Sequence, residues 1–277
     1  MSTPTPLSAV VSALQSADEV LLLTHEYPDG DGIGSMLALR LGLLGLGKQV
    51  ECAMPHPCPQ KYQFLPGAAW IRTDPPSTPF RCAVALDCDG EARLGPLLPA
   101  FRAAELTVHV DHHRAEGAFG QVSWCDPTQA ATALMIHEVL EALCVALTAE
   151  IATCLYTGLA ADTGVFRFQN TSAEALVTAG ALVAAGADPY ELGQRVGEEM
   201  PPPKALLLGR ALMGVRVLCE GALLVAALEA EDFAAAGALP EHTDGLIDEL
   251  RRVAGVRVTV LLREQEPGRW RASLRGV

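Results

Sequence analysis

Seven consecutive residues, His25-Glu26-Tyr27-Pro28-Asp29-Gly30-Asp31, carry one imidazole and three carboxylates. These are the donor types that hold hard and borderline divalent cations. The cluster follows the apolar run Val20-Leu21-Leu22-Leu23 and precedes Gly32-Ile33-Gly34-Ser35 and a helical pattern. That order reads as strand, loop, helix. In an open α/β sheet the loop at the carboxyl end of a strand is where ligands bind. Gly30, Gly32 and Gly34 are expected to let this loop turn tightly, so that side chains two and four residues apart reach one spot.

Further donors recur at the ends of predicted elements. The β-prone runs beginning at Cys82 and Leu106 end in Asp87 and Asp111, the second continuing into His112-His113, and Asp162 stands in Ala161-Asp162-Thr163-Gly164. Asp residues at the ends of adjacent parallel strands converge on one rim of the sheet. Taken singly, each has a plainer reading: Asp87 as a cap or turn former, His112-His113 as a surface pair, Asp162 as a helix terminator. Their ordered co-occurrence with His25, Asp29 and Asp31 is what carries a chemical reading. Carboxylates and imidazoles without thiolate favour Mn²⁺ or Mg²⁺ over structural zinc. So many carboxylates would repel around one ion. They suit two ions about 3.5–4 Å apart that share a bridging carboxylate, an arrangement used on phosphate esters. Glu26, Asp89 and Asp126 read as loop residues, and His109 and His137 as structural.

The elements that must position these groups alternate. A leading helix ends near Ala17, strand 20–24 follows, and a helix is expected over 34–46, then strand 49–53. Prolines at 55, 57, 59, 66, 75, 76 and 79 break up the next region. Helical patterns cover 128–147, most of 149–161 and 172–185. The expected fold is α/β, a mainly parallel sheet flanked by helices, with a smaller C-terminal α/β domain. Composition shifts near Asp188-Pro189 and at Pro201-Pro202-Pro203, so a domain over 1–187, a linker over 188–214 and a second domain over 215–277 are expected. In the last, β-prone stretches at 215–228 and 256–274 surround a helical segment at 241–253.

Half of the 277 residues are hydrophobic, 19% are charged, and the formal net charge is −13. That charge argues against a coat on long duplex nucleic acid, which needs clustered Lys and Arg. It leaves room for a small phosphorylated substrate whose charge bound cations offset. No apolar run is long enough to span a bilayer, so no membrane partner is expected. Met1-Ser-Thr-Pro-Thr-Pro lacks the basic start of a signal peptide. The eight cysteines include no C-x-x-C pair. Cys82, Cys144, Cys154 and Cys219 fall inside predicted elements and are expected to be small buried hydrophobes, which fits the cytoplasm.

In this order, His25-x3-Asp29-x-Asp31, Asp87, Asp111-His112-His113 and Asp162 resemble the motifs of the DHH phosphoesterase superfamily. Thr163-Gly164-Val165-Phe166-Arg167-Phe168-Gln169-Asn170-Thr171 resembles a further segment of its bacterial oligoribonuclease and 3′-phosphoadenosine-5′-phosphate phosphatase branch, which carries a small DHHA1 domain. The likeness covers nearly the whole chain. It implies one metal held by His25, Asp29 and Asp87 and a second held by Asp31, Asp87, His112 and Asp162, with Asp87 bridging. His113 would face the phosphate, Asp111 would orient the imidazoles, and Arg114 is a candidate substrate contact. The ions implied are two Mn²⁺, with Mg²⁺ as the alternative. The partners implied are short oligoribonucleotides or small phosphorylated nucleotides, and a second copy in a homodimer. Other readings are a dinucleotide phosphodiesterase, a pyrophosphatase-like hydrolase, or a nucleotide-binding protein with impaired catalysis. Family members continue past the strand resembling 270–275 into a Gly-Gly-Gly-His segment that binds substrate. This sequence contains none, so the DHHA1-like domain is expected to be incomplete, by truncation or by real loss. Arg275 is then the surviving candidate phosphate contact.

Overall fold

Strands that are buried on both faces read as unbroken apolar runs, and the central strands of this chain do so. The computed structural model describes residues 5–76, 78–114, 119–198, 200–243 and 245–276. In chain order the first unit, Met1–Glu198, contains α1 (Pro6–Ser16), β1 (Glu19–Thr24), α2 (Gly30–Gly45), β2 (Gln49–Ala53), β3 (Ile71–Arg72), β4 (Cys82–Leu86), α3 (Leu98–Ala103), β5 (Leu106–Asp111), β6 (Val122–Cys125), α4 (Thr132–Ala142), α5 (Ala149–Asp162), α6 (Ala173–Ala184) and α7 (Pro189–Gly193). Its six strands pair in parallel in the order β3-β2-β1-β4-β5-β6. Thr5, Thr148 and Ser172 start α1, α5 and α6 by accepting a backbone N–H three residues on.

Alternation along β1 sends Val20 and Leu22 into a core shared with α1, α2, α4, α5 and α6, while Leu21 and Leu23 face a smaller core with Leu94, Leu97 and Phe101. Both faces are therefore covered, as the alternating pattern predicts. The short edge strand β6, the two-residue β3 and α3 fall outside the sequence expectation. Each is too short for periodicity to mark.

The expected glycine loop is instead the first turn of a helix. Asp29 is the N-cap of α2, its Oδ1 accepting the N–H groups of Asp31 at 3.0 Å and Gly32 at 3.2 Å. None of Gly30, Gly32 and Gly34 has a positive φ. Their role is steric. A Cβ on Gly34 would lie 2.4 Å from the Cys154 carbonyl oxygen and 3.0 Å from the Gly158 nitrogen. A Cβ on Gly158 would lie 2.9 Å from Asp31 Oδ1. Helices α2 and α5 thus touch backbone to backbone just where both carry candidate ligands.

The second unit, Glu199–Val277, contains α8 (Pro202–Met213), β7 (Arg216–Leu218), β8 (Leu223–Leu228), α9 (Ala230–Ala236), α10 (Leu246–Leu250), β9 (Val258–Glu266) and β10 (Arg269–Gly276). Its four strands run in the order β10-β9-β8-β7, with β8 and β9 parallel and the two outer pairs antiparallel. Leu207, Leu224, Leu228, Leu246, Leu250 and Leu261 form its core. The stretch expected as a linker, 188–214, contains helices of both units. Asp188 caps α7 in the first unit, and α8 buries Leu207 and Ala211 in the second. All eight cysteines are free, and Cys82 and Cys154 are buried as expected. Cys144 and Cys219 are exposed, because each occupies a left-handed turn just past a helix or strand. Among the described residues no helix is long and apolar enough to cross a membrane.

The close contact of α2 with α5 has a measurable consequence. Gly34→Ala should destabilise the chain by about 1–3 kcal/mol through overpacking. Gly45→Ala, at the open end of the same helix, should stabilise it by up to about 1 kcal/mol through helix propensity. Equilibrium denaturation followed by circular dichroism separates the two.

Candidate metal centre

Strand register builds the site. Thr24 pairs with Leu86, and Leu86 with Val110, so the next residues along, His25, Asp87 and Asp111, stand side by side on one rim. The sheet order reverses direction between β1 and β4, the switch point where open α/β sheets bind ligands. Asp87 leaves β4 with φ +55°. That conformation is tolerated best by Gly, Asn and Asp, costs roughly 1–3 kcal/mol, and is pinned by its N–H donating to the Val110 carbonyl at 3.0 Å.

Helices bring the remaining groups to the same rim. Asp31, fully buried in α2, accepts the backbone N–H groups of Thr132 at 2.6 Å and Ala133 at 2.9 Å. Helix α4 has no side-chain cap of its own, so Asp31 caps it from another helix. The Thr132 hydroxyl donates to Asp87 Oδ1 at 3.0 Å. Asp162 ends α5 and lies 2.8 Å from His112 Nε2. His112 Nδ1 faces the Gln129 carbonyl at 3.3 Å, which turns Nε2 toward Asp31 (3.8 Å) and Asp87 (3.7 Å). His25 Nδ1 donates to the Glu26 carbonyl at 2.7 Å, leaving Nε2 3.7 Å from Asp87 Oδ2.

These donors sort into groups. The ligand atoms of His25, Asp29 and Asp87 lie within 4.8 Å of one another, as do those of Asp31, His112 and Asp162, and those of Asp87, His112 and His113. Asp111 Oδ1 accepts from both the backbone N–H and Nδ1 of His113, at 3.2 and 2.8 Å, which draws His113 out of the third group. Asp87 Oδ2 and Asp111 Oδ2 are buried with no hydrogen-bond partner among the described residues. Separations of 3.6–3.8 Å around Asp87 and His112 are too long for hydrogen bonds. They suit donors that share a cation, since two atoms each about 2.1 Å from one ion stand roughly 3–4 Å apart. The donor set and its orphaned oxygen fit divalent cations.

Electrostatics points the same way. Burial, then the nearby Asp87 and Asp162 carboxylates, push Asp29 up to about 6. The same causes raise Asp31 well above the usual carboxylate range. Burial opposes charge on His112, but Asp162, Asp31 and Asp87 outweigh it and push its imidazole up to about 10. Burial would also raise Asp87, yet His25, His112 and His113 hold it below its ordinary value. The cluster attracts positive charge, as protons or as cations.

The two expected substrate contacts have surroundings of their own. Arg114 is exposed at the end of the described part of its loop. Arg275, on β10, points its Nε at Asp248 Oδ1, 3.6 Å away. Sequence reasoning missed Thr132, which holds Asp31 and Asp87 together, and the role of Asn170. The Asn170 amide donates to the Ala130 and Asp162 carbonyls at 3.0 and 3.1 Å, tying the 163–171 segment to the ends of two helices. Asn170 lay within a recognised motif. Thr132 carried no signal, because its key donor is a backbone N–H.

The sequence profile described as "DHH family, N-terminal domain" matches residues 19–159, just over half of the chain. That span takes in every donor of the centre except Asp162. The chain belongs to the DHH family. It is 37% identical over 252 residues to the bifunctional oligoribonuclease and PAP phosphatase NrnA of Thermus thermophilus, covering 90% of this chain and 74% of that protein. It is 24% identical over 273 residues to the protein of the same name from Bacillus subtilis, covering 93% and 81%. Among solved structures it resembles an exopolyphosphatase-related protein from Bacteroides fragilis, with a TM-score of 0.89 at 20% identity over 98% of this chain and 83% of that one. It also resembles RecJ in complex with Mn²⁺ from Thermus thermophilus, with a TM-score of 0.54 at 15% identity over 99% and 47%. The last two are likenesses of fold.

Cation binding to this DHH centre must displace protons that the raised groups hold. His112, near 10, is protonated at neutral pH, and Asp29, near 6, gains a proton below that. Mn²⁺ affinity is therefore expected to tighten as pH rises from 6 toward 8, with proton release on binding. Calorimetry in buffers of different ionisation enthalpy measures both. Affinity independent of pH would contradict this charge balance.

Proposed function

We propose that this DHH-family chain is a two-metal phosphoesterase acting on short oligoribonucleotides and on nucleotides of the PAP type. The observation that carries the reading is the buried Asp87 carboxylate between His25 and Asp29 on one side and His112, Asp31 and Asp162 on the other. His25, Asp29 and Asp87 would hold one ion, and Asp31, Asp87, His112 and Asp162 the second. Mn²⁺ is the proposed ion, with Mg²⁺ as the alternative. Such a pair supplies a nucleophile from water at neutral pH and neutralises phosphoryl charge.

The protein's own residues do the rest. Asp111 fixes His113 through Nδ1, leaving Nε2 of a side chain 41% exposed free to meet substrate. The hydrogen bond to Asp111 is the main cause that raises the His113 pKa, so His113 can donate to a phosphoryl oxygen as negative charge develops there. The substrates are proposed from the names of the Thermus thermophilus and Bacillus subtilis relatives. A net charge of −13 fits short chains better than long duplexes. The second unit is proposed as a DHHA1-like domain with Arg275 as its phosphate contact, and Arg114 of the first unit is proposed as another.

With Mn²⁺, the chain is expected to release mononucleotides from a dinucleotide and phosphate from 3′-phosphoadenosine-5′-phosphate. Asp87→Ala should lower kcat by about 10³-fold or more. Asp111→Asn, which loosens the hold on His113, should lower it about 10- to 100-fold. Turnover of pyrophosphate with none of either nucleotide, or near-normal activity in Asp87→Ala, would overturn the reading.

A further inference from the structure

A guanidinium that none of the roles above uses stands beside the metal centre. Arg93 lies in the 3₁₀ segment Glu91–Leu97, and its backbone carbonyl accepts the Glu26 N–H at 2.8 Å, which fixes it against the loop after β1. Its Nη1 donates to Asp89 Oδ1 at 3.1 Å, and its Nη2 donates to the Glu26 carbonyl at 3.3 Å and lies 2.7 Å from His25 Nδ1. The side chain is 36% exposed.

The contact with His25 is a poor match for a ligand histidine. A guanidinium can only donate. An imidazole that offers Nε2 to a cation keeps its proton on Nδ1, and here that proton already has the Glu26 carbonyl as its acceptor. Two N–H groups would then face each other, so Arg93 Nη2 has no matching acceptor on the ring. A phosphoryl oxygen supplies one, and the planar, permanently charged fork is the side chain best shaped to take it. Arg93 also brings positive charge to a rim otherwise crowded with carboxylates.

We propose that Arg93 binds a phosphoryl oxygen of the substrate on the His25 side of the metal centre. This rests on the phosphoesterase reading, and the test separates the two. Arg93→Ala and Arg93→Lys are compared with the unaltered chain in three measurements: Mn²⁺ affinity by calorimetry, inorganic phosphate binding to the Mn²⁺-loaded protein, and KM and kcat on a dinucleotide. For Arg93→Ala the expected result is Mn²⁺ affinity within about twofold, with phosphate binding weakened and KM raised about 10- to 100-fold. Arg93→Lys should recover part of the loss. Mn²⁺ affinity falling tenfold or more would make Arg93 a support for His25 and overturn the proposal, as would unchanged phosphate binding and KM. If the unaltered chain turns over neither nucleotide yet binds phosphate through Arg93, the phosphoesterase reading fails and the anion site stands.

Discussion

A carboxylate with one oxygen buried and unpartnered is tolerated only where positive charge comes to it. Asp87 is such a group, 1% exposed, ringed by three imidazoles at 3.6–3.7 Å and close to further aspartates. The rest of the first unit serves to hold that unfavourable arrangement. Strand register sets Asp87 between His25 and Asp111, and a left-handed backbone turns its carboxylate inward. Buried apolar strands on either side, each Val or Leu contributing about 1.5–3 kcal/mol, outweigh the local strain.

The helices solve a second problem with the same atoms. Asp31 is buried with its charge raised in cost by burial and by Asp87 and Asp162, and its two oxygens accept the two amides that α4 leaves uncapped. One carboxylate thus ends a helix and builds a site. The backbone contact of α2 with α5, which glycine at 34 and 158 permits, brings the carboxylates of Asp31 and Asp162 within 4.8 Å of each other. Packing and chemistry are here one constraint, so substitutions far from any substrate can disturb the centre.

The donor set was legible in the sequence because strand-end carboxylates and imidazoles need no partner to be noticed. His25, Asp29, Asp31, Asp87, His112 and Asp162 all meet in the structure. The three glycines after Asp29 resemble a turn in sequence, but what requires them is close packing: Gly30 and Gly34 against α5, more than a hundred residues on, and Gly32 against Thr24 and Asp87. Thr132 and Arg93 were invisible for the same reason, since their partners are 45 to 101 residues away. The exposed Cys144 and Cys219 show the limit of reading burial from residue type, because the turns that hold them lie at the surface.

Two cations sharing Asp87 is the central claim, and electron paramagnetic resonance tests it without any substrate. Titrating the metal-free chain with Mn²⁺ should show two ions bound per chain, the second converting the isolated-ion signal of the first into that of an exchange-coupled pair. In Asp87→Ala that coupling should vanish. Saturation at one ion, or two ions whose signals stay independent, would contradict the account.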